Sequence, residues 1–389
     1  MPRLDWYVIA PSSRIAGLCH SIVRGEPYNT CQLGCVYCYA RWYRGPHGEP
    51  RPIPGLRRLI RELARAQRES GILLPVRIAT LSDPFQPVEA RWKAALAGLE
   101  EASRRGVPVV LNTRLPPPSR RHHMVLRDLA GQGLLLAQVT LTSTLESWPL
   151  VSRLEPGSPG PEGRLAAASY YASIGAPLMV RLQPLIPGVE AWLDRLLDYT
   201  VEAGARGVIV EFLRVEEPLA ESLAALAPAW DPGWEPYATV EAGLLHPPLP
   251  YRLRVAAMAS VEAWRRGLAF QTCKEGLFHT HHPLRLDCCG FTLFEGPVAR
   301  RPHLLDVYLE ALESPLPAGE ALERACSRDP LLLCGDRLDT LPRWLSRSLR
   351  LHERRLERIL SRPDLLGKLA PSLRLVEGRI RAIPPLIPG

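Results

Sequence analysis

Cys31, Cys35 and Cys38 stand in a C-x3-C-x2-C pattern within Tyr28-Asn29-Thr30-Cys31-Gln32-Leu33-Gly34-Cys35-Val36-Tyr37-Cys38-Tyr39-Ala40-Arg41. Three thiolates on one short loop can converge on one metal centre. A structural zinc site closes its tetrahedron with four protein ligands, and a cubane iron–sulfur cluster also takes four, usually Cys. Three leave one vertex open, and an open vertex is where a metal centre receives a substrate. Two other readings stand beside this one. The loop is a zinc knuckle completed by Cys19, His20 or His47, or the thiols simply pack as small hydrophobes.

A second dense group lies far along the chain. Thr272-Cys273-Lys274-Glu275-Gly276-Leu277-Phe278-His279-Thr280-His281-His282 is followed by Asp287-Cys288-Cys289-Gly290. Its spacing matches no established ligand signature. It reads as a second metal or cluster site on Cys273, Cys288 and Cys289, as a redox-active thiol donor, or as packing. Cys326 and Cys334 are further candidate ligands without a local pattern.

The chain has 389 residues, 46% hydrophobic and 23% charged, as expected for a globular protein. No apolar run approaches the length of a membrane span. The N-terminus lacks the apolar core of a secretory signal, which points to the cytoplasm. Clustered Cys in a reducing compartment mean metal or catalysis more often than disulfides. The formal net charge is +8, carried almost wholly by arginine, since Lys93, Lys274 and Lys368 are the only lysines; there are 40 prolines. The charge permits nucleic-acid binding, and the Arg and Pro bias is thermophile-like.

After the cysteine loop, apolar periodicity alternates. Helices are expected over 55–70, 89–105, 119–129, 161–174 and 189–203, and strands over 76–81, 107–113, 134–141, 177–182 and 207–213. With one strand before the loop, this gives βαβ units and a parallel sheet of about six strands. The expectation is an α/β fold, fewer-stranded than a full eight-stranded barrel. The organisation reads as an N-terminal flap at 1–24, a core at 25–215, and a mostly helical C-terminal extension at 216–389. The extension holds a Pro/Trp-rich loop at 227–250, the Cys/His-rich segment 273–290 and a basic helix at 341–362.

In such sheets the functional loops follow the carboxyl ends of strands. Those loops here are Ser82-Asp83-Pro84-Phe85-Gln86-Pro87, Asn112-Thr113-Arg114, Thr142-Ser143-Thr144, and Arg181 to Gly188. Hydroxyls, one carboxylate and two guanidinium groups suit a zwitterionic, ribose-bearing ligand. Arg114 would take its carboxylate, with Ser82, Asp83, Thr113, Thr142 and Ser143 for amine and hydroxyls, and Arg181 as the second cation. Asp83 and Thr113 also fit turn or cap roles.

The cysteine motif, with Tyr37 before its last Cys, resembles the radical S-adenosylmethionine (SAM) superfamily. Over about 25–215 the strand-end loops, with Leu154-Glu155-Pro156, Arg164 and Pro184-Leu185-Ile186-Pro187-Gly188, look like its spore photoproduct lyase-like branch. The resemblance implies a partial (β/α)6 barrel. It implies that Cys31, Cys35 and Cys38 hold a 4Fe–4S cluster whose open iron is chelated by SAM. Reductive cleavage would then yield a 5′-deoxyadenosyl radical that abstracts hydrogen from a substrate. It further implies SAM contacts from Tyr37 and the strand-end residues above, and an electron donor such as a ferredoxin or flavodoxin. One departure counts: the lyases use a cysteine just ahead of the Ser-Asp pair, and Ile78-Ala79-Thr80-Leu81 has none. The scaffold therefore matches better than the substrate, with a nucleic acid as one candidate. A non-catalytic metal-stabilised nucleic-acid-binding protein and an iron–sulfur electron carrier are the alternative readings.

Overall fold

The computed structural model describes residues 3–9, 19–38, 40, 48–226, 230–237 and 244–387. His47, and parts of the 1–24 flap and the 227–250 loop, lie outside these residues. The main sheet holds β1 (Val23–Gly25), β2 (Val76–Ile78), β3 (Val109–Thr113), β4 (Leu135–Thr140), β5 (Leu178–Leu185), β6 (Gly207–Phe212) and β7 (Ala269–Thr272). All neighbours are parallel, and spatial order follows chain order without reversal. Right-handed crossovers that always step in one direction put every connecting helix on one face. The result is the layout of a barrel wall, not of a doubly wound sheet. The crossover helices are α1 (Leu56–Ser70), α2 (Ala94–Arg105), α3 (Arg120–Gly131), α4 (Pro161–Ser173), α5 (Leu193–Glu202) and α6 (Leu249–Arg265). The expected mixed α/β architecture with six strand–helix units is therefore observed, and β7 is an addition that the apolar pattern did not reveal.

Alternation along each strand divides its side chains between two faces. Val109, Leu111, Ala137, Val139, Val180, Val208 and Val210 are buried beneath the helices. Val110, Leu136, Met179, Ile209 and Ala269 face the other way, onto Leu286, Cys288, Cys289, Phe291 and Phe294. The inner face is thus filled by a late stretch of the chain rather than by solvent. Above that apolar layer lies a polar one. Gln138 Oε1 accepts from Arg77 Nη1 at 2.8 Å and Arg181 Nη1 at 2.7 Å, and Gln138 Nε2 donates to the Cys289 carbonyl at 2.6 Å.

The C-terminal part is mostly helical, with α7 (Leu304–Glu313), a helix at Ala321–Arg328, α8 (Arg343–Leu360) and a helix at Pro363–Leu369 around a small antiparallel sheet. The basic helix expected at 341–362 is α8, started by Pro342 as its N-cap. It buries Leu345, Leu349, His352, Leu356, Ile359 and Leu360 and exposes Arg343, Arg347, Arg354 and Arg358. Cys326 and Cys334 correct an expectation: they form a disulfide, with Cα atoms 6.2 Å apart, which removes both thiols as ligands. Among the described residues no helix is long and apolar enough to cross a membrane.

Candidate functional site

The cysteine loop follows β1 and sits over the carboxyl ends of β2, β3 and β4, each of which sends a loop to hold it. From the loop after β2, Gln86 accepts from the Gln32 amide at 2.8 Å and donates to the Thr30 carbonyl at 2.9 Å. The Asp83 amide donates to Cys31 Sγ at 3.5 Å. From the end of β3, Arg114 Nη1 donates to Cys35 Sγ at 3.4 Å and Arg114 Nη2 to the Tyr37 hydroxyl at 3.1 Å. From the stretch after β4, the Leu154 carbonyl accepts from the Val36 amide at 2.9 Å, and the Gly157 amide donates to the Leu33 carbonyl at 3.0 Å. Cys31, Cys35 and Cys38 are in no disulfide and are partly exposed.

Gly157 shows how tight this clasp is. A Cβ there would sit 2.8 Å from the Leu33 carbonyl oxygen and 2.9 Å from that of Gln32, both backbone atoms of the cysteine loop. Gly157→Val should therefore displace that loop. We expect the variant to retain less than about half of the wild-type iron after reconstitution, measured by metal analysis, while its far-ultraviolet circular dichroism is unchanged.

Glu155 is the fixed point behind the loop. It is fully buried and accepts from the Tyr37 hydroxyl, from Thr142 Oγ1 at 2.9 Å and from Arg164. It also pairs with Arg114 Nη1 at 2.9 Å. Burial alone would raise its pKa, but Arg114 and Arg164 outweigh that and hold it down at about 2. The carboxylate therefore stays charged and keeps Arg114 aimed at Cys35. Burial, with Asp83 next in effect, pushes the metal-free Cys31 thiol up to about 12.

The sequence-predicted residues divide accordingly. Asp83 accepts from the Phe85 amide at 2.9 Å, the Arg114 amide at 2.7 Å and Thr113 Oγ1 at 3.0 Å, so it joins the loops after β2 and β3. Burial raises its pKa against these donors. Ser82 donates to Glu26, whose other carboxylate oxygen takes the Thr80 and Leu81 amides at 2.7 and 2.9 Å. Ser143 is buried with an unpartnered hydroxyl. Tyr37, Asp83, Thr113, Arg114 and Thr142 thus lie in one network with the cysteine loop. Arg181 does not; it sits on the inner face, with Nη2 3.6 Å from Cys273 Sγ. Cys273 directly follows β7, while Cys288 contacts His20 Nδ1 at 3.4 Å. Cys288 Sγ lies 3.9 Å from Cys289 Sγ, and Cys273, Cys288 and Cys289 share one buried cluster on the inner face.

Sequence reasoning missed the clamping roles of Glu26, Gln86 and Gly157, and of Ser158, whose Oγ accepts from Arg114 Nη1 at 3.4 Å. It also missed Glu211, at the end of β6, which pairs with Arg214 and with Lys274 Nζ at 3.1 Å. Glu26 follows β1 directly and Glu211 lies at the end of β6, so the strand-end rule applied to every strand would have found both.

The cluster and SAM can be tested against these residues. The thiols, none of them in a disulfide, share one partly exposed loop, and two of their sulfurs already receive N–H donors, the kind of contact that tunes iron–sulfur centres. The set fits a cluster with an open vertex.

No family model matches the chain. It is 25% identical over 196 residues to the "Radical SAM Nalpha-GlyT isomerase" of Pseudomonas phage M6, covering 48% of this chain and 38% of that protein. An uncharacterized protein of Mycobacterium tuberculosis is 25% identical over 195 residues, covering 47% and 56%. The chain thus spans well under two thirds of these curated relatives. Among solved structures, SuiB of Streptococcus suis bound to S-adenosylmethionine aligns with TM-score 0.46 and 15% identity over 67% of this chain and 52% of its own. A spore photoproduct lyase variant with bound AdoMet and dinucleoside spore photoproduct aligns with TM-score 0.49 and 16% identity, over 64% and 76%. The resemblance to radical SAM proteins read from the cysteine loop recurs in the phage relative.

Proposed function

We propose that the chain is a radical SAM enzyme whose 4Fe–4S cluster is held by Cys31, Cys35 and Cys38. The observation that carries this reading is the clasp itself. Three thiols on one loop, none of them in a disulfide, are gripped by the strand-end loops where an α/β wall of this type binds its ligands. When bound, cluster and SAM supply one-electron cleavage of a carbon–sulfur bond and an organic radical that abstracts hydrogen. This chain's residues would orient and shield. Arg114 lays positive charge against the Cys35 sulfur and is itself held by Glu155. Asp83, with Thr113, fixes the rim beside Cys31. Tyr37 closes the loop's buried side, and Ser82, Thr142, Ser143 and Arg181 complete the candidate contacts for SAM. An electron donor such as a ferredoxin or flavodoxin in the cytoplasm would reduce the cluster.

Anaerobically reconstituted protein should be brown, and with a strong reductant and SAM it should form 5′-deoxyadenosine. A colourless, zinc-loaded protein would overturn the reading, and a cluster indifferent to SAM would favour the electron carrier. For the substrate, a nucleic acid is the candidate that the charge supports. Arg343, Arg347, Arg354 and Arg358 follow one another at intervals of four, seven and four residues along the exposed side of α8, a spacing that lines one helix face. Binding that weakens steeply with salt, and faster SAM turnover when nucleic acid is added, are the expected results. Salt-insensitive binding would point to a small molecule or a peptide.

A further inference from the structure

Away from the cysteine loop, three further thiols meet where the stretch ahead of β1 touches the inner-face segment. Cys289 lies between the other two. Its Sγ is 3.9 Å from Cys288 Sγ, and its thiol also donates to Cys19 Sγ. Cys288 in turn is 3.4 Å from His20 Nδ1, whose Nε2 contacts Asp306 Oδ2 at 3.3 Å. The three differ in access. Cys288 is 1% exposed and Cys289 2%, whereas Cys19 is partly exposed. A small oxidant arriving from solvent therefore meets Cys19 first.

Cys19 also carries the charge that a reaction with such an oxidant needs, because the thiolate is the nucleophile. The hydrogen bond from Cys289, with Arg301 and Arg77 close by, holds the Cys19 thiol well below its usual pKa against the opposing effect of burial. The hydrogen bonds toward Cys19 and Cys288 push Cys289 the other way, so it keeps its proton. Both backbones are pinned: Arg301 Nε donates to the Cys19 carbonyl and Gln138 Nε2 to the Cys289 carbonyl, each at 2.6 Å. An accessible thiolate of low pKa beside a second thiol is the arrangement that peroxide-reactive cysteines share. A bridge between Cys288 and Cys289 is the poorer alternative. Neighbours joined by a trans peptide have Cα atoms about 3.8 Å apart, short of the roughly 4.4–6.8 Å that disulfides span.

We propose that Cys19 and Cys289 form a peroxide-reactive thiol pair, separate from the cysteine loop and independent of the activity proposed above. The Cys19 thiolate attacks one oxygen of hydrogen peroxide; the O–O bond breaks, hydroxide leaves and Cys19 becomes a sulfenic acid. The Cys289 sulfur then attacks the Cys19 sulfur. The S–O bond breaks, and the Cys289 proton leaves with that oxygen as water. Two electrons pass from the sulfurs to the peroxide, and one disulfide forms. It ties the stretch that leads into β1 and the cysteine loop to the segment that fills the inner face.

The test uses the full chain, freed of iron by chelator, reduced, and exposed to a slight molar excess of hydrogen peroxide before the remaining thiols are alkylated. Trypsin cuts after Arg and Lys, which puts Cys19 on residues 15–24, the cysteine loop on 25–41, Cys273 on 267–274, and Cys288 with Cys289 on 286–300. Mass mapping should find 15–24 joined to 286–300 in at least about half of the chains, a link that dithiothreitol reverses. Cys289→Ser should abolish the link and leave Cys19 as a sulfenic acid that dimedone captures, while Cys288→Ser should keep it. The unaltered chain decides the matter even if a variant does not fold. Cys19 left reduced, a link from 15–24 to 25–41, or a bridge confined within 286–300 overturns the pair.

Discussion

Replacing Cys31, Cys35 and Cys38 together by Ala should reduce 5′-deoxyadenosine formation to the uncatalysed background, a loss of at least about three orders of magnitude. A centre left with no thiolate anchor cannot be retained by the surrounding donors, because Arg114 and the Asp83 amide contribute N–H groups, not ligands. The variant should also be colourless after anaerobic reconstitution. The loop is partly exposed and its backbone is held by Gln86, Leu154 and Gly157. Three Ala should therefore leave the thermal midpoint within a few degrees of wild type. Iron retained at more than about a fifth of the wild-type level would place a second cluster elsewhere in the chain and sink the assignment of these three.

The second large effect lies at Glu155. Removing one member of a buried charge network leaves the others desolvated and unpaired, a cost of about 3–5 kcal/mol. Glu155→Ala strands Arg164, which is fully buried, and Arg114. The melting temperature should fall by roughly 4–6 °C. Arg164→Ala added to Glu155→Ala should cost much less than the sum of the single changes, since the two share one interaction. The pH dependence follows from the same carboxylate. Its pKa is lowered in the folded chain from 4.5 to about 2. Its contribution is therefore complete above about pH 4.5 and is lost as pH falls toward 2. Glu155→Gln should flatten that part of the stability profile. A melting temperature unchanged in Glu155→Ala would refute the network.

Much of the wall was legible because its elements depend on apolar periodicity alone. The helix expected at 161–174 is observed at Pro161–Ser173, and the strand expected at 134–141 at Leu135–Thr140. Misses arise where a side chain overrides the pattern. Glu89 to Arg105 reads as one helix, yet Lys93 adopts a φ of 53° and splits it. The cause is Glu89, whose carboxylate turns back to cap the Ala95 and Leu96 amides at 3.1 and 2.9 Å. The strand read as 76–81 stops at Ile78 because Ala79 has a φ of 64°. β7 escaped because it has only four residues and follows about fifty without alternation. At the site, the ligand loop was plain from cysteine spacing. The N–H donors to its sulfurs come from loops about 50 to 80 positions away, brought there by the fold rather than by any local pattern.

The filling of the inner face by a late segment bears on how the chain is made. β6 ends at Phe212, and beyond β7 and the adjoining Cys273 the next residue of the buried cluster on Val110, Leu136, Met179 and Ile209 is Leu286. Between them the ribosome adds 74 residues (286 − 212), about 4–15 s of synthesis at roughly 5–20 residues per second. Throughout that interval the newly formed wall carries an uncovered greasy surface. A chain released early at residue 215 would carry it permanently, so truncated products should be recovered mainly as aggregates or bound to chaperones. The order in which the polypeptide leaves the ribosome, rather than the strength of any one contact, would then set how much protein reaches the folded state.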